Sequence, residues 1–326
     1  MKIIYKIWLI VAMFALCACG SDETISGSEE PVKELKEYTV SLKLSGEITT
    51  SDSPLARAET DSKDLYGVQV YRQETGKTSY SYFAYGLFDN VSDMKINLLE
   101  GAMYKFRILY IKDGKSLVGQ ESQPQGSGYG SPFKHSGYNH NSMLISIPTA
   151  CNNTYILFDS FYDELEKGLY YSEGNCYYGE LSDYTPTVNG TVDIDLKHTV
   201  FGLQYEVKGI TDGTVSVEIK NNSRTFFSES NITEDYTSEE KIIAFYDAYN
   251  AWLYSDNYTE NLTVSLSWTR GIGVLQNLGS KIIQVKRNVM NVVRIQLGAN
   301  DGSASFGITT EDDTNMGVGE VTIPLG

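Results

Sequence analysis

Apolar and polar residues alternate one for one along most of the chain. Val40, Leu42 and Leu44 alternate with Thr39, Ser41, Lys43 and Ser45. That is the period-two signature of a strand with one buried face. Tyr66, Val68 and Val70 repeat the pattern, as do Met94, Ile96 and Leu98, then Tyr104, Phe106, Ile108 and Tyr110, then Met143, Ile145 and Ile147. Residues 155–158 are a short apolar run, which predicts a strand buried on both faces. Asp113-Gly114 between two lysines predicts a tight turn.

A second series starts after the turn dipeptide Asn189-Gly190. Its strands carry Val192, Ile194 and Leu196; Leu203, Tyr205 and Val207; Val215, Val217 and Ile219; Leu262, Val264, Leu266 and Trp268; and Val293, Ile295 and Leu297, with Val321 and Ile323 as a short last strand. Strands spaced this way, with turn residues between them, predict an all-β chain of two antiparallel β-sandwich domains, residues 38–189 and 190–326, the division falling between 185 and 195. Two short helices are expected at most. One covers residues 161–168, and one lies within 242–253, where Ile242, Phe245, Tyr249 and Trp252 have helical spacing. Residues 123–141, rich in glycine and serine, lack any period and predict a long loop.

The start of the chain sets its address. Lys2 and Lys6 precede an apolar run, residues 7–16, that ends in Leu16-Cys17-Ala18-Cys19. Ten apolar residues are too few for a membrane-spanning helix, which needs about 20, and fit a secretory signal. A large aliphatic residue three positions before a cysteine and a small one just before it form the lipoprotein pattern. Residues 1–18 are therefore expected to be removed and Cys19 to carry lipid, palmitate included, at the outer membrane. Residues 19–37 are polar and predict a flexible tether. The formal net charge is −16, and loss of Lys2 and Lys6 would make it two more negative. Acidity on this scale argues against nucleic acid, whose backbone needs a basic footprint. Beyond Cys19 the sequence holds Cys151 and Cys176. One disulfide between them, or two separate thiols, suits an exported chain equally well.

Chemistry is sparse. There is no HExxH, GxSxG or phosphate-binding loop. Gly271-Ile272-Gly273 lies between strands and predicts a hairpin turn. His135 and His140 share the glycine-rich loop, and His198 continues the parity of a strand and is expected at its rim. Glu311-Asp312-Asp313 lacks the spacing of a calcium loop. The expectation is of no catalytic residue, no metal and no cofactor.

Four features together resemble the fimbrillin family, the type V pilus subunits and fimbrillin-like lipoproteins of Bacteroidales. They are the lipid-attachment motif with the acidic Gly20-Ser21-Asp22-Glu23 beside it, the first strand at 38–46, the polar tract 256–261 leading into the strand 262–268, and residues 285–293, a basic-Asn turn into a late strand. The resemblance implies transthyretin-like sandwiches on the cell surface, a pilus shaft, anchor or tip role in adhesion, and other pilus subunits or host and bacterial surface ligands as partners. It also implies assembly by strand exchange. A trypsin-like protease cuts after an arginine, which here matches Arg57 before Ala58, and frees the first strand so that a strand of another subunit can enter. Residues 317–323 are a candidate donor. The alternative reading is a surface glycan-binding lipoprotein, with Tyr129, Tyr138, Tyr170, Tyr171, Tyr177 and Tyr178 as an aromatic platform.

Overall fold

The computed structural model describes residues 35–48, 63–118, 120–123, 126–129, 132–134, 141–145, 155–156, 173–221, 224–271, 273–298 and 304–312. The chain is all-β. Its first half contributes β1 (Glu37–Gly46), β2 (Leu65–Gln73), β3 (Ser81–Phe88), β4 (Lys95–Leu99) and β5 (Met103–Ile111), followed by a single helical turn, α1 (Gly114–Leu117). Short strands follow: β6 (Gln120–Gln123), β7 (Gly126–Tyr129), β8 (Phe133–Lys134), β9 (Leu144–Ile145) and β10 (Tyr155–Ile156). The long strands β11 (Cys176–Tyr184) and β12 (Gly190–His198) complete the series.

Eight of these strands join in one sheet of order β4-β1-β12-β11-β5-β2-β3-β9, while β8 pairs with β10 and β6 with β7. The alternation seen in the sequence puts Val40, Leu42, Leu44, Val68, Val70, Phe106, Ile108, Ile194 and Leu196 in one core. β3 carries no alternation because both of its faces are covered: Ala84, Tyr85, Leu87 and Phe88 are all buried. The strand at residue 190 was expected to open the second sandwich. It pairs instead with β1 and β11 and fills the first core. Alternation marks a buried face but does not say which core receives it.

The second half contributes β13 (Val200–Lys208), β14 (Thr214–Asn221), β15 (Arg224–Ile232), β16 (Tyr236–Thr237) and β17 (Lys241–Ala244), then the helix α2 (Ala248–Tyr254). It ends with β18 (Thr259–Thr269), β19 (Leu275–Lys286), β20 (Val289–Leu297) and β21 (Ala304–Asp312). One sheet runs β16-β13-β20-β21 with β17 also on β13, and the other runs β15-β14-β18-β19. Trp268, Leu266, Val217, Tyr205 and Ile295 lie in the core that both sheets supply. Trp268 is fully buried, and its indole N–H donates to the Asp212 carbonyl at 2.7 Å, so the largest apolar side chain of this core leaves no polar atom unmet. A third cluster joins the halves: Leu65, Leu109, Ile111 and Tyr178 pack against Val200, Ala244 and Ala248.

Three expectations are refined. Pairing is mostly antiparallel, but β1–β12 and β13–β20 are parallel. The segment read as a long loop, residues 123–141, holds β7 and β8, and its first residue ends β6, the hairpin partner of β7. The ambiguous stretch 242–253 divides: Ile242 is in a strand, whereas Tyr249 and Trp252 are on α2. Asp247 caps that helix by accepting from the Asn250 amide at 2.8 Å. The expected helix at 161–168 and the last strand at 321–323 lie outside the described residues.

Candidate functional site: the seat of the first strand

β1 is held from both sides. Residues 37–41 pair antiparallel with β4, and residues 40–46 pair parallel with β12. The strand thus enters along one neighbour and leaves along the other. Val40, Leu42 and Leu44 turn inward and are buried. The opposite face is polar and matched in kind. Thr39 Oγ1 donates to Asn97 Oδ1 at 2.9 Å, Ser45 Oγ to Asp195 Oδ1 at 2.5 Å, and Lys43 Nζ lies 3.1 Å from Asp193. Exposed contacts of this kind contribute little each; burial of the three aliphatic side chains carries the strand.

The strand ends on a residue that must be glycine. Gly46 has φ +98°, and a Cβ there would lie 2.4 Å from the Leu196 carbonyl oxygen. Glu47 follows. Its amide donates to the same Leu196 oxygen at 2.8 Å. Its carboxylate Oε2 accepts from the His198 amide at 2.9 Å and from Arg287 Nη1. Arg287 comes from the tight turn between β19 and β20, where Asn288 takes φ +57° and its amide donates to the Val200 carbonyl at 2.8 Å. The guanidinium also donates from Nη1 to the His198 carbonyl at 3.3 Å and from Nη2 to Asp256 Oδ1 at 3.1 Å. The Arg287 side chain is only 7% exposed.

The far end of the following linker is held as well. Asp64 is buried, accepts from the Asp113 amide at 2.9 Å, and lies 3.3 Å from the hydroxyls of Tyr66 and Tyr110. Residues 49–62, which include Arg57 and Ala58, lie outside the described residues. The segment that carries the expected cleavage point therefore runs between two clasped ends, Glu47 and Asp64.

A second polar group occupies the outer face of β2, β5 and β11. Gln69, Arg107 and Glu180 are cross-strand neighbours. The Glu180 carboxylate is 2.5 Å from Lys105 Nζ and 2.8 Å from Arg107 Nε, and it accepts from the Tyr178 hydroxyl at 3.1 Å. Burial would raise its pKa, but Lys105 and Arg107 overcome that and hold it below the usual value. Arg107 lies 5.6 Å from the Tyr71 ring and 5.0 Å from the Tyr249 ring. Tyr71 in turn leans on Tyr82 at 4.9 Å, and Tyr82 is 53% exposed. Burial raises the Tyr71 and Tyr178 hydroxyl pKa values above the phenol's ordinary range.

This arrangement corrects the platform expected from the sequence. Tyr129, Tyr177 and Tyr178 are buried in the cores; Tyr138, Tyr170 and Tyr171 lie outside the described residues. The aromatic side chains that do meet Arg107 on this face are Tyr71 and Tyr249, with Tyr82 leaning on Tyr71; none belonged to the expected platform. His198 is at its strand end as expected, stacked on Tyr177 at 4.6 Å with Nε2 2.8 Å from Asn175 Oδ1. Gly271 and Gly273 lie in the hairpin between β18 and β19. Cys176 is buried, has no disulfide partner among the described residues, and has a thiol pKa that burial pushes up to about 12. Cys19, Cys151, His135 and His140 lie outside the described residues. Among the described residues no group of three His, Cys, Asp or Glu side chains could hold a metal ion.

No protein-family model matches the chain, and no curated protein matches it. Solved structures do resemble it at low identity. A candidate cell adhesion protein from Bacteroides eggerthii shares 10% identity at a TM-score of 0.37, covering 85% of this chain and 95% of that one. The tip fimbrial protein Mfa3 from Porphyromonas gingivalis, with a C-terminal truncation, shares 10% identity at 0.35, covering 84% and 99%. A fimbrial assembly protein from Parabacteroides distasonis shares 10% identity at 0.32, covering 88% and 99%.

Proposed function

We propose that the chain is an exported lipoprotein of the outer cell surface, anchored through Cys19, that acts in adhesion as a fimbrillin-like pilus subunit, anchor or tip. The observation that carries the reading is the position of β1. It is an interior strand with a buried aliphatic face, yet it is the first strand among the described residues and joins those that follow through one linker. Cleavage between Arg57 and Ala58 would free it. β4 and β12 would then face each other with unpaired backbone groups across an apolar slot. A strand from another subunit would satisfy both at once. The mass of the N-terminal peptide of protein taken from its native cells tests this. A chain starting at a lipidated Cys19 keeps β1 and is an anchor or a lone surface protein. A chain starting at Ala58 has lost β1 and polymerises. Any other start removes the reading.

One observation favours a second reading, glycan binding. Tyr82 is exposed beside Tyr71, whose ring lies 5.6 Å from the Arg107 guanidinium, and an exposed ring of this kind suits a sugar's C–H groups. Retention on polysaccharide affinity gels that is lost in Tyr82→Ala supports this reading; no retention of the native chain removes it.

A further inference from the structure

The seat of β1 has a register problem that apolar alternation cannot solve. Because the side-chain period is two, a strand shifted by two residues still points its aliphatic residues inward. Something aperiodic must fix the register, and two neighbouring groups at the end of the seat do so. Opposite Gly46 the Leu196 carbonyl oxygen would lie 2.4 Å from any Cβ. One residue on, the Arg287 guanidinium takes the Glu47 carboxylate. If β1 slid forward by two, Leu44 would meet the Leu196 carbonyl and Ser45 would stand before Arg287. The arginine would keep only the His198 carbonyl, at 3.3 Å, and Asp256, whose side chain is 91% exposed and strongly screened. Arg287 Nε is buried with no partner among the described residues, so the guanidinium is already short of acceptors and tolerates loss of a carboxylate poorly.

We infer that Arg287 is the end-stop of the seat: it reads a carboxylate on whichever strand fills it, so that an entering strand must carry three alternate aliphatic residues, a glycine two positions after the last of them, and an acid next. This rests on the exchange reading above and adds which strands are accepted and in which register. The end-stop is supplied by the β19–β20 turn, outside the sheet that β1 joins, so strand choice is tied to the second half of the chain.

The experiment uses the full chain with residues 53–58 replaced by a site for a specific protease, cut, and challenged with labelled peptides copying residues 37–48. The native peptide is expected to enter and to be retained about tenfold longer or more than the Glu47→Gln peptide, the weight of a charge-assisted hydrogen bond. In a chain carrying Arg287→Gln the two peptides are expected to leave at equal rates. Equal retention of both peptides by the native chain overturns the end-stop and leaves exchange standing. Failure of the native peptide to enter the cut chain overturns exchange itself, and the end-stop with it. Should Arg287→Gln not fold, the comparison on the native chain still decides.

Discussion

Replacing Leu42 with alanine tests whether β1 belongs to the first core. The side chain is 3% exposed and sits between Val40 and Leu44, both buried, in a strand paired on both sides. Truncation removes the transfer free energy of the lost carbons and leaves a cavity. Backbone pairing to β12 and the Leu42 amide bond to the Met94 carbonyl, 2.8 Å, keep the strand from collapsing inward to fill it. The expected loss is about 3 kcal/mol, the middle of the range for a buried leucine. Lys43→Ala, next in the chain but exposed and paired with Asp193, should cost less than about 0.5 kcal/mol. Both of the described tryptophans are in the second half, so indole fluorescence is a poor reporter. Tyrosine near-ultraviolet circular dichroism in a urea series, with hydrogen exchange at the amides of β4 and β12, reads the first core directly. If Leu42→Ala costs no more than Lys43→Ala, the aliphatic face of β1 is not packed, and β1 is a loosely held surface strand.

The other predictions concern single residues and pH. Gly46→Ala should cost about 1–3 kcal/mol and speed exchange of the Glu47 amide. Gly76→Ala, with φ +79° but nothing near its Cβ, should cost less; equal costs would remove the steric argument. Cys176 should resist alkylation in the folded chain and react on unfolding. Its folded pKa, about 12, lies above its ordinary 9.0, as burial also raises those of Tyr178, Tyr205 and Tyr258. The unfolded chain therefore loses these protons first, and stability should fall as pH rises from about 9; a urea midpoint that holds level to pH 11 contradicts this. Glu180 has the opposite sign. Its folded pKa is depressed, so its contribution is present above about pH 4.3 and lost below. Glu180→Gln should flatten the acid limb of the stability curve.

Strands with one wet face were legible in the sequence: β1, β4, β12, β14 and β18 all show their alternation. Strands with two covered faces were legible only where small or polar residues still stood between the apolar ones, as Gly67 and Gln69 do in β2. β3 and the start of β11 are buried on both sides, so Tyr177-Tyr178 reads as an aromatic patch when it is a sheet interior. β19 is an edge strand with Leu275 and Ile282 exposed, which breaks the expected pattern from the other direction. Partner choice was also hidden. The rows 40–44 and 192–196 have equivalent patterns, and nothing local says that they lie side by side and parallel. The same holds for the seat. Glu47 and Arg287 are ordinary charged residues until the fold brings them together across 240 positions. The residues 285–293 stood out as a turn, and the structure gives that turn a second use.

The parallel pairing of β1 has a kinetic consequence. Thr39 and Asn189 meet across 150 residues of sequence, so the strand made first waits for a neighbour made much later, and closing so long a loop is slow. In that interval β1 has only β4 to pair with, and under the proposed strand exchange a strand from a neighbouring chain would compete for the same place. The linker decides the contest. Covalent connection through residues 49–62 holds the chain's own strand at an effective concentration of the order of millimolar, far above that of any rival molecule. A single cut within residues 49–62 ends that advantage without altering one contact in the sheet. Under the proposed exchange, occupancy would from then on depend on how many strands are nearby rather than on which chain made them.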